Sequence, residues 1–239
     1  MATFSLSRAR AAVIVFSLLC TMIAGTRAAE SSRKLFSGSD LSDWDGATNL
    51  WRVENGSIVG ETTAEHPLKH HSYLIWRGGK PENFELRLRF MIAGRRGNSG
   101  VQYRSWDLGD HEVGGYQYNI QPSRSGTTAV LEEMKNGRGG HLAGIGQKVH
   151  LLDKNIRKTT GTTGDQKAIN ASLDPKGWNE LTIRAEGPRL RHWLNGHLAI
   201  DVIDDDLRAA QRGLIAFQLH SGPPMKIELK EIRLQDLDE

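Results

Sequence analysis

Phe84-Glu85-Leu86-Arg87-Leu88-Arg89-Phe90 decides the fold class. Four apolar side chains alternate with three charged ones. Successive side chains of a strand point to opposite faces, so Phe84, Leu86, Leu88 and Phe90 line one face and Glu85, Arg87 and Arg89 the other. The pattern returns at Leu181, Ile183 and Ala185, and again at Ile215, Phe217 and Leu219. Arg189 to Val202 reads as a hairpin around Asn195-Gly196, a dipeptide that takes the positive φ angles of a type I′ turn. Met225, Ile227 and Leu229 open a last strand. Ile232 and Leu234 then fall on the opposite phase, and a bulge near Lys230-Glu231 returns them to the core. The expectation is an all-β sandwich of two antiparallel sheets, with roughly a dozen strands.

The remaining segments fit one domain. The chain has 239 residues, 38% of them hydrophobic and 25% charged, which supports a sizeable core and argues against disorder. Arg8 and Arg10 precede an apolar run from Ala11 to Gly25, and Thr26-Arg27-Ala28 places small residues at −3 and −1. Residues 1–28 therefore read as a signal peptide cleaved after Ala28, with an uncleaved anchor as the alternative. The run is short for a membrane span, so no stable membrane insertion is expected after cleavage, and residues 29–239 form a single domain in the periplasm or outside the cell. The leader's three arginines leave 28 basic residues of the full 31, against 28 acidic. A balance near zero offers no basic stripe for nucleic acid. Cys20 is the sole cysteine and leaves with the leader, so neither a disulfide nor a thiol nucleophile is available. Lys154 to Asn170 is polar and reads as a long loop. Asp204-Asp205-Asp206 reads as a solvated loop capping a helical turn at Leu207 to Gln211, with a calcium site as the alternative.

Alternation also sorts the polar residues. In Gly115 to Ile120, Tyr116, Tyr118 and Ile120 take one face, and Gln117 and Asn119 the other. Gln102 and Arg104 lie opposite Val101 and Tyr103; Gln218 and His220 lie opposite the stripe of Ile215, Phe217 and Leu219. These polar sets converge if they share the outer face of one sheet. Of Glu132 and Glu133, one faces inward and one outward. His66, His70 and His71 lack a recognised ligand spacing and read as an exposed loop. Trp106 offers a flat ring for a sugar, whereas Trp51, Trp178 and Trp193 read as core.

A family resemblance rests on a series of blocks. Leu35-Phe36-Ser37-Gly38 with Asp40-Leu41 and Trp44 opens it, and Trp51-Arg52-Val53-Glu54-Asn55-Gly56 follows. Asn98-Ser99-Gly100-Val101 with Arg104, Gly115-Tyr116-Gln117, and Glu132-Glu133 with Gly137-Arg138-Gly139 form its middle. Trp178-Asn179, His192-Trp193-Leu194-Asn195-Gly196 and Gln218-Leu219-His220 complete it. In order and spacing, over about residues 34–235, the chain resembles the 3-keto-disaccharide hydrolase family. That resemblance implies a concanavalin A-like jelly roll with a concave sugar-binding face. It also implies cleavage of 3-keto-glycosides by C2 proton abstraction, elimination and hydration; a non-catalytic carbohydrate-binding module of the same fold is the alternative.

The implied partner is a carbohydrate, an oxidised disaccharide or glycoside. The candidate catalytic residues are Glu132, Glu133, His220 and Arg104; the candidate substrate-binding residues are Asn98, Gln117, Asn119, Gln218 and Trp106. No metal site is assigned, although a bound divalent cation would serve at the enolate oxygen in place of Arg104 or Gln117. The chain departs from the family pattern at two places. Asn119 stands where many relatives have an aspartate, and an amide cannot act as a base. Thr127-Thr128 stands where relatives carry an aromatic pair.

Overall fold

The computed structural model describes residues 1, 32–93, 97–121, 130–134, 138 and 140–238, with the backbone alone for 130–134. Residues 2–31, which include all of the leader but Met1, lie outside the described residues, as do Thr127-Thr128, Gly137, Gly139 and the side chains of Glu132 and Glu133. Seventeen strands and one short helix are described. In chain order the strands begin with β1 Arg33–Lys34, β2 Trp44–Asp45, β3 Trp51–Glu54, β4 Ser57–Thr62 and β5 Ser72–Trp76. The middle comprises β6 Phe84–Ala93, β7 Ser99–Gly109, β8 Glu112–Ile120, β9 Val130–Met134, β10 Gly140–Ala143 and β11 Gln147–Leu152. Next come β12 Ile156–Thr162, helix α1 Gln166–Ala171, β13 Asn179–Glu186, β14 Arg189–Leu194 and β15 His197–Asp204; β16 Leu214–Leu219 and β17 Met225–Asp236 close the chain.

The strands form two sheets. One runs β12-β11-β15-β14-β13-β6-β17-β4-β3, with β1 on β17; the other runs β10-β9-β8-β7-β16-β5-β2. The decisive stretch is β6 at the centre of the larger sheet. Its Phe84, Leu86 and Leu88 stand opposite Ala185, Ile183 and Leu181 of β13, and all six are buried. Asn195 and Gly196 take φ 47° and 80° at the expected hairpin. The predicted bulge is present: the β17–β6 register shifts between Lys230 and Arg233, Glu231 adopts φ 54°, and Ile232 and Leu234 return to the core. The jelly-roll reading therefore stands, with more strands than expected and one local exception to antiparallel pairing, since β11 runs parallel to β15.

Several local expectations are corrected. Lys154 to Asn170 is not a loop. It contains β12, an edge strand paired with β11, and α1, whose N-cap Asp165 accepts from the Lys167 amide. Leu207 to Gln211 forms a turn without a helix. The acidic run is not solvated at both ends either. Asp204 is buried and paired with Arg138 at 2.8 Å, and it accepts from the Tyr116 hydroxyl at 2.6 Å. Asp206 is buried and held down at about 2 by the Arg208 guanidinium. Trp178 and Trp193 are half-buried rather than core. They lie on the outer face of the larger sheet, where Lys230 sits 4.0 Å from the Trp178 ring and Arg191 lies 5.5 Å from the Trp193 ring. Trp51 is core, and Gly60 is required beside it, because a Cβ there would lie 2.4 Å from the indole.

Polar groups also pass between the sheets. His192 is fully buried; its Nε2 bonds the Tyr103 hydroxyl at 2.9 Å, and the Tyr103 and Tyr118 rings meet it edge-on. Burial pushes its pKa down to about 3, so it is neutral in the folded protein. The unfolded chain protonates this histidine below its ordinary value near 6.5 while the folded chain does not, so stability falls as pH drops from 6.5 toward 3. The expected loss from this group is about 1.4 kcal/mol per pH unit over that window. Urea unfolding from pH 7 to 5 should show a slope shallower by about one proton in His192→Gln than in the wild type.

Candidate functional site

The outer face of the smaller sheet carries the candidate site. Register places Gln102 of β7 opposite Gln117 of β8 and Ala216 of β16, and Gly100 opposite Asn119 and Gln218. Gln218 stands opposite Tyr73 of β5. Residues facing each other across an antiparallel ladder share a face, so Gln102, Gln117, Asn119, Gln218 and Tyr73 lie together. All five are buried, although this is the face turned away from the other sheet.

Their polar atoms form a directed relay. Ser105 Oγ donates to Gln102 Oε1 at 2.8 Å, Gln102 Nε2 to Gln117 Oε1 at 3.0 Å, and Gln117 Nε2 to Asn119 Oδ1 at 3.4 Å. Gln218 Nε2 donates to the Tyr73 hydroxyl at 3.0 Å. Such a chain polarises its members and fixes which end donates. Gly100 makes room for it: a Cβ at that position would lie 2.4 Å from Gln117 Cδ, so the Gln117 side chain lies across the bare backbone of the Asn98-Ser99-Gly100 segment. Ser99 Oγ donates to the Gln218 carbonyl at 2.7 Å and pins the strand edge beneath.

The expected residues divide. Asn98, Gln117, Asn119, Gln218 and His220 come together on this face or at its end. Glu132 stands opposite Gln117 in register, whereas Glu133 stands opposite Tyr116, a core position. Arg104 departs from the group. It adopts φ 45° at a bulge, and its guanidinium, 1% exposed, donates to the carbonyls of Glu82, Gly187 and Ala210. Burial lowers its pKa, and the carbonyl dipoles replace its hydration. Trp106 departs too: it lies over Gly114, whose Cβ would meet the indole at 2.7 Å, on the face opposite Val113.

Beyond the Arg104 bulge the β7–β8 hairpin bends across the outer face. Val113 packs with Tyr73, Ile75, Leu214 and Ala216, and the Tyr73 amide donates to the His111 carbonyl at 2.9 Å. Ions latch the tip. Arg77 pairs with Asp107 at 2.6 Å and Asp45 at 2.5 Å, and His111 Nε2 lies 3.2 Å from Asp45. The Arg77 guanidinium, donating to Asp45, holds that carboxyl below its ordinary value. Sequence reading missed this latch, because its members are spread over more than sixty residues without a shared motif.

At the far end of the amides lies a cavity of about 230 Å³ lined by Lys69, His70, His71, Tyr73, Glu112, Val113 and Ser221. His66 and His70 are exposed as expected, but His71 is half-buried and lies 4.2 Å from the His220 ring. The Ser221 amide donates to His71 Nδ1 at 3.0 Å, which places the proton of neutral His71 on Nε2. Among the described residues no group of three His, Cys, Asp or Glu is arranged to hold a metal ion, and no helix is long and apolar enough to cross a membrane.

Comparison with known proteins bears on the fold. A family model described as a 3-keto-alpha-glucoside-1,2-lyase-like domain matches residues 31–235. A search of the curated proteins found no significant match. Among solved structures, a candidate glycosyl hydrolase from Parabacteroides distasonis superimposes with TM-score 0.57 at 18% identity, covering 88% of this chain and 95% of that one. The carbohydrate-binding module CBM66 from Bacillus subtilis does so with TM-score 0.55 at 15% identity, over 81% and 95%. A Bacillus licheniformis beta-glucanase gives TM-score 0.54 at 11% identity, over 87% and 100%. At these identities the likeness is one of fold.

The amide relay makes Gly100 its most sensitive position. Gly100→Ala should force Gln117 out of place and weaken glycoside binding on the order of tenfold, ~1.4 kcal/mol. Isothermal calorimetry with a circular dichroism control for folding checks this; unchanged affinity would remove Gln117 from the site.

Proposed function

Because the chain belongs to the 3-keto-alpha-glucoside-1,2-lyase-like domain family, we propose that this carbohydrate-active protein cleaves 3-keto-glycosides outside the cytoplasm. The carbonyl at C3 acidifies the C2 proton. A base removes that proton, electrons move to the C3 oxygen as an enolate, and re-forming the carbonyl expels the C1 substituent, which leaves as its alcohol with the proton returned by the base. Water added across the resulting double bond gives the free keto-sugar, so the sum is a hydrolysis. The reaction asks for one base and for hydrogen-bond donors at the enolate oxygen.

The observation that carries this reading is the register of β9. Glu132 stands opposite Gln117, at the head of the buried amides, while Glu133 stands opposite the core residue Tyr116. Glu132 is the proposed base, and the amides of Gln102 and Gln117 the proposed donors to the sugar. His220 is not an alternative base in the same position. It follows β16, three strands from β9, hence about 14 Å away laterally at ~4.8 Å per strand. Arg104 has no part in the proposal, since its donors are committed to backbone carbonyls.

A binding module is the second reading. One observation favours it: the described side chains at the centre of the face are mostly amides, which grip hydroxyls without transferring protons. The two readings separate at Glu132. Glu132→Gln should lower turnover of a 3-keto-disaccharide by a factor on the order of 10²–10⁴ with the melting temperature nearly unchanged. Equal turnover in that variant excludes Glu132 as the base. Sugar affinity with no turnover in the wild type establishes the module.

Export is proposed on the leader's pattern alone: Arg8 and Arg10, the apolar run and the small residues before Ala29. N-terminal sequencing of protein recovered outside the cytoplasm should begin at Ala29; an intact Met1 would overturn the cleavage.

A further inference from the structure

We propose that the β7–β8 hairpin beyond the Arg104 bulge is a lid over the β16–β5 half of the amide face, and that it lifts on its hinge to open that half. As a gate for a sugar, it rests on the reading that the amide face holds the sugar that reacts.

The first observation is that the face is shut. Gln102, Gln117, Gln218, Tyr73 and Asn119 are 0%, 1%, 1%, 2% and 4% exposed. Amides with almost no accessible surface bind a sugar only after their cover moves. On the β16–β5 half that cover is the hairpin: Val113 packs on Tyr73, Ile75, Leu214 and Ala216. Ala216 stands opposite Gln102 in the ladder, and Tyr73 opposite Gln218. Lifting Val113 therefore uncovers the flank of both amides.

The second is the path. The hairpin leaves the sheet at β7, passes over β16 and reaches the far edge of β5. There the His111 carbonyl accepts from the Tyr73 amide at 2.9 Å. The crossing spans two strand spacings, about 10 Å. β2 pairs with β5 at Ile75 and Trp76; at Tyr73 the hairpin takes the place of that strand.

The third is the hinge and the weakness of what lies beyond it. The base is fixed, because the Arg104 guanidinium is tied to three loops. At that level both strands carry positive φ, 45° at Arg104 and 138° at Gly115, and the register shifts between Tyr103 and Trp106. A Cβ on Gly115 would lie 2.4 Å from Ser105 Oγ, so the hairpin bends there on bare backbone. Beyond the bend Asp107 to Asp110 are exposed, and of residues 106–113 Val113 alone is buried. The described attachments to the face are that side chain, the His111 carbonyl and ions at half-exposed side chains: Arg77 with Asp107 and Asp45, and His111 with Asp45. Exposed ion pairs stabilise weakly, and a segment with few buried contacts opens locally before the sheet beneath it.

Hydrogen exchange on the intact chain reads the lid directly. The Tyr73 amide is bonded to the hairpin, whereas strand alternation turns the Leu74 amide toward β16. Tyr73 should exchange faster than Leu74 in the wild type. Arg77→Met removes the pairs to both Asp107 and Asp45 and should speed the Tyr73 amide about fivefold with Leu74 unchanged. Asp107→Asn removes one pair and should give a smaller step in the same direction. Apparent association scales with the open fraction, so the stopped-flow association rate constant for a 3-keto-disaccharide should rise by the same factors. Equal exchange at Tyr73 and Leu74 in all three proteins means that the hairpin opens only with the sheet, and overturns the lid. Faster exchange at Tyr73 with unchanged association overturns the lid as the sugar's gate and leaves the proposed reaction standing. If no disaccharide binds or reacts while Tyr73 alone speeds up, the lid stands and the proposed function falls.

Discussion

The Arg104 guanidinium organises one end of the sandwich. It is desolvated and donates to carbonyls in three separate loops: before β6, between β13 and β14, and before β16. A buried charge survives only where dipoles or counter-charges replace its water. Here backbone carbonyls do so, and the residue accepts φ 45° to reach them. That backbone turn is the bulge at which β7 leaves regular register with β8. Gly213 lies against it so closely that a Cβ would meet the Arg104 carbonyl carbon at 2.4 Å. From the bulge onward the hairpin tip crosses the outer face, where Val113 and the Arg77–Asp107–Asp45 ions hold it.

Two buried polar systems follow from the arrangement, and they differ in kind. Between the sheets, Arg138, Asp204 and Tyr116 form a closed set, with both carboxylate oxygens engaged by the guanidinium at 2.8 Å. Removing one member of such a pair leaves an uncompensated charge, so it acts as a structural clamp between the sheets. The amides on the outer face are not closed in this way, since Gln218 Oε1 and Asn98 Oδ1 have no partner among the described residues.

Amides suit a sugar-binding face. Each side chain both donates and accepts, as a hydroxyl does, and none carries a charge whose desolvation must be offset. Asn119 fits this pattern: its Oδ1 accepts from Gln117, and an aspartate there would bring a charge into the buried row. Proton transfer would then fall to a group at the row's end, which is where register puts Glu132.

Much of this was legible in the sequence, because strand alternation is a local property. Each side chain's face follows from its neighbours' faces, so Phe84 to Phe90, Gln117 against Tyr116, and Gln218 against Phe217 sort themselves without knowledge of the fold. Asn195-Gly196 and the phase change before Ile232 are local for the same reason. The rest depended on partners distant in sequence. Arg104 shares the parity of Gln102, yet its direction was settled by carbonyls 22, 83 and 106 residues away. The polar stretch Ile156–Thr162 lacks the apolar alternation of a half-buried strand and became an edge strand by pairing along β11. Asp204 looked like loop acid until Arg138 met it across 66 residues. Alternation by itself determined which faces exist and what lines them. Only the tertiary structure decided which polar groups are closed by partners and which remain open, because a hydrogen bond's satisfaction belongs to the pair and not to either residue.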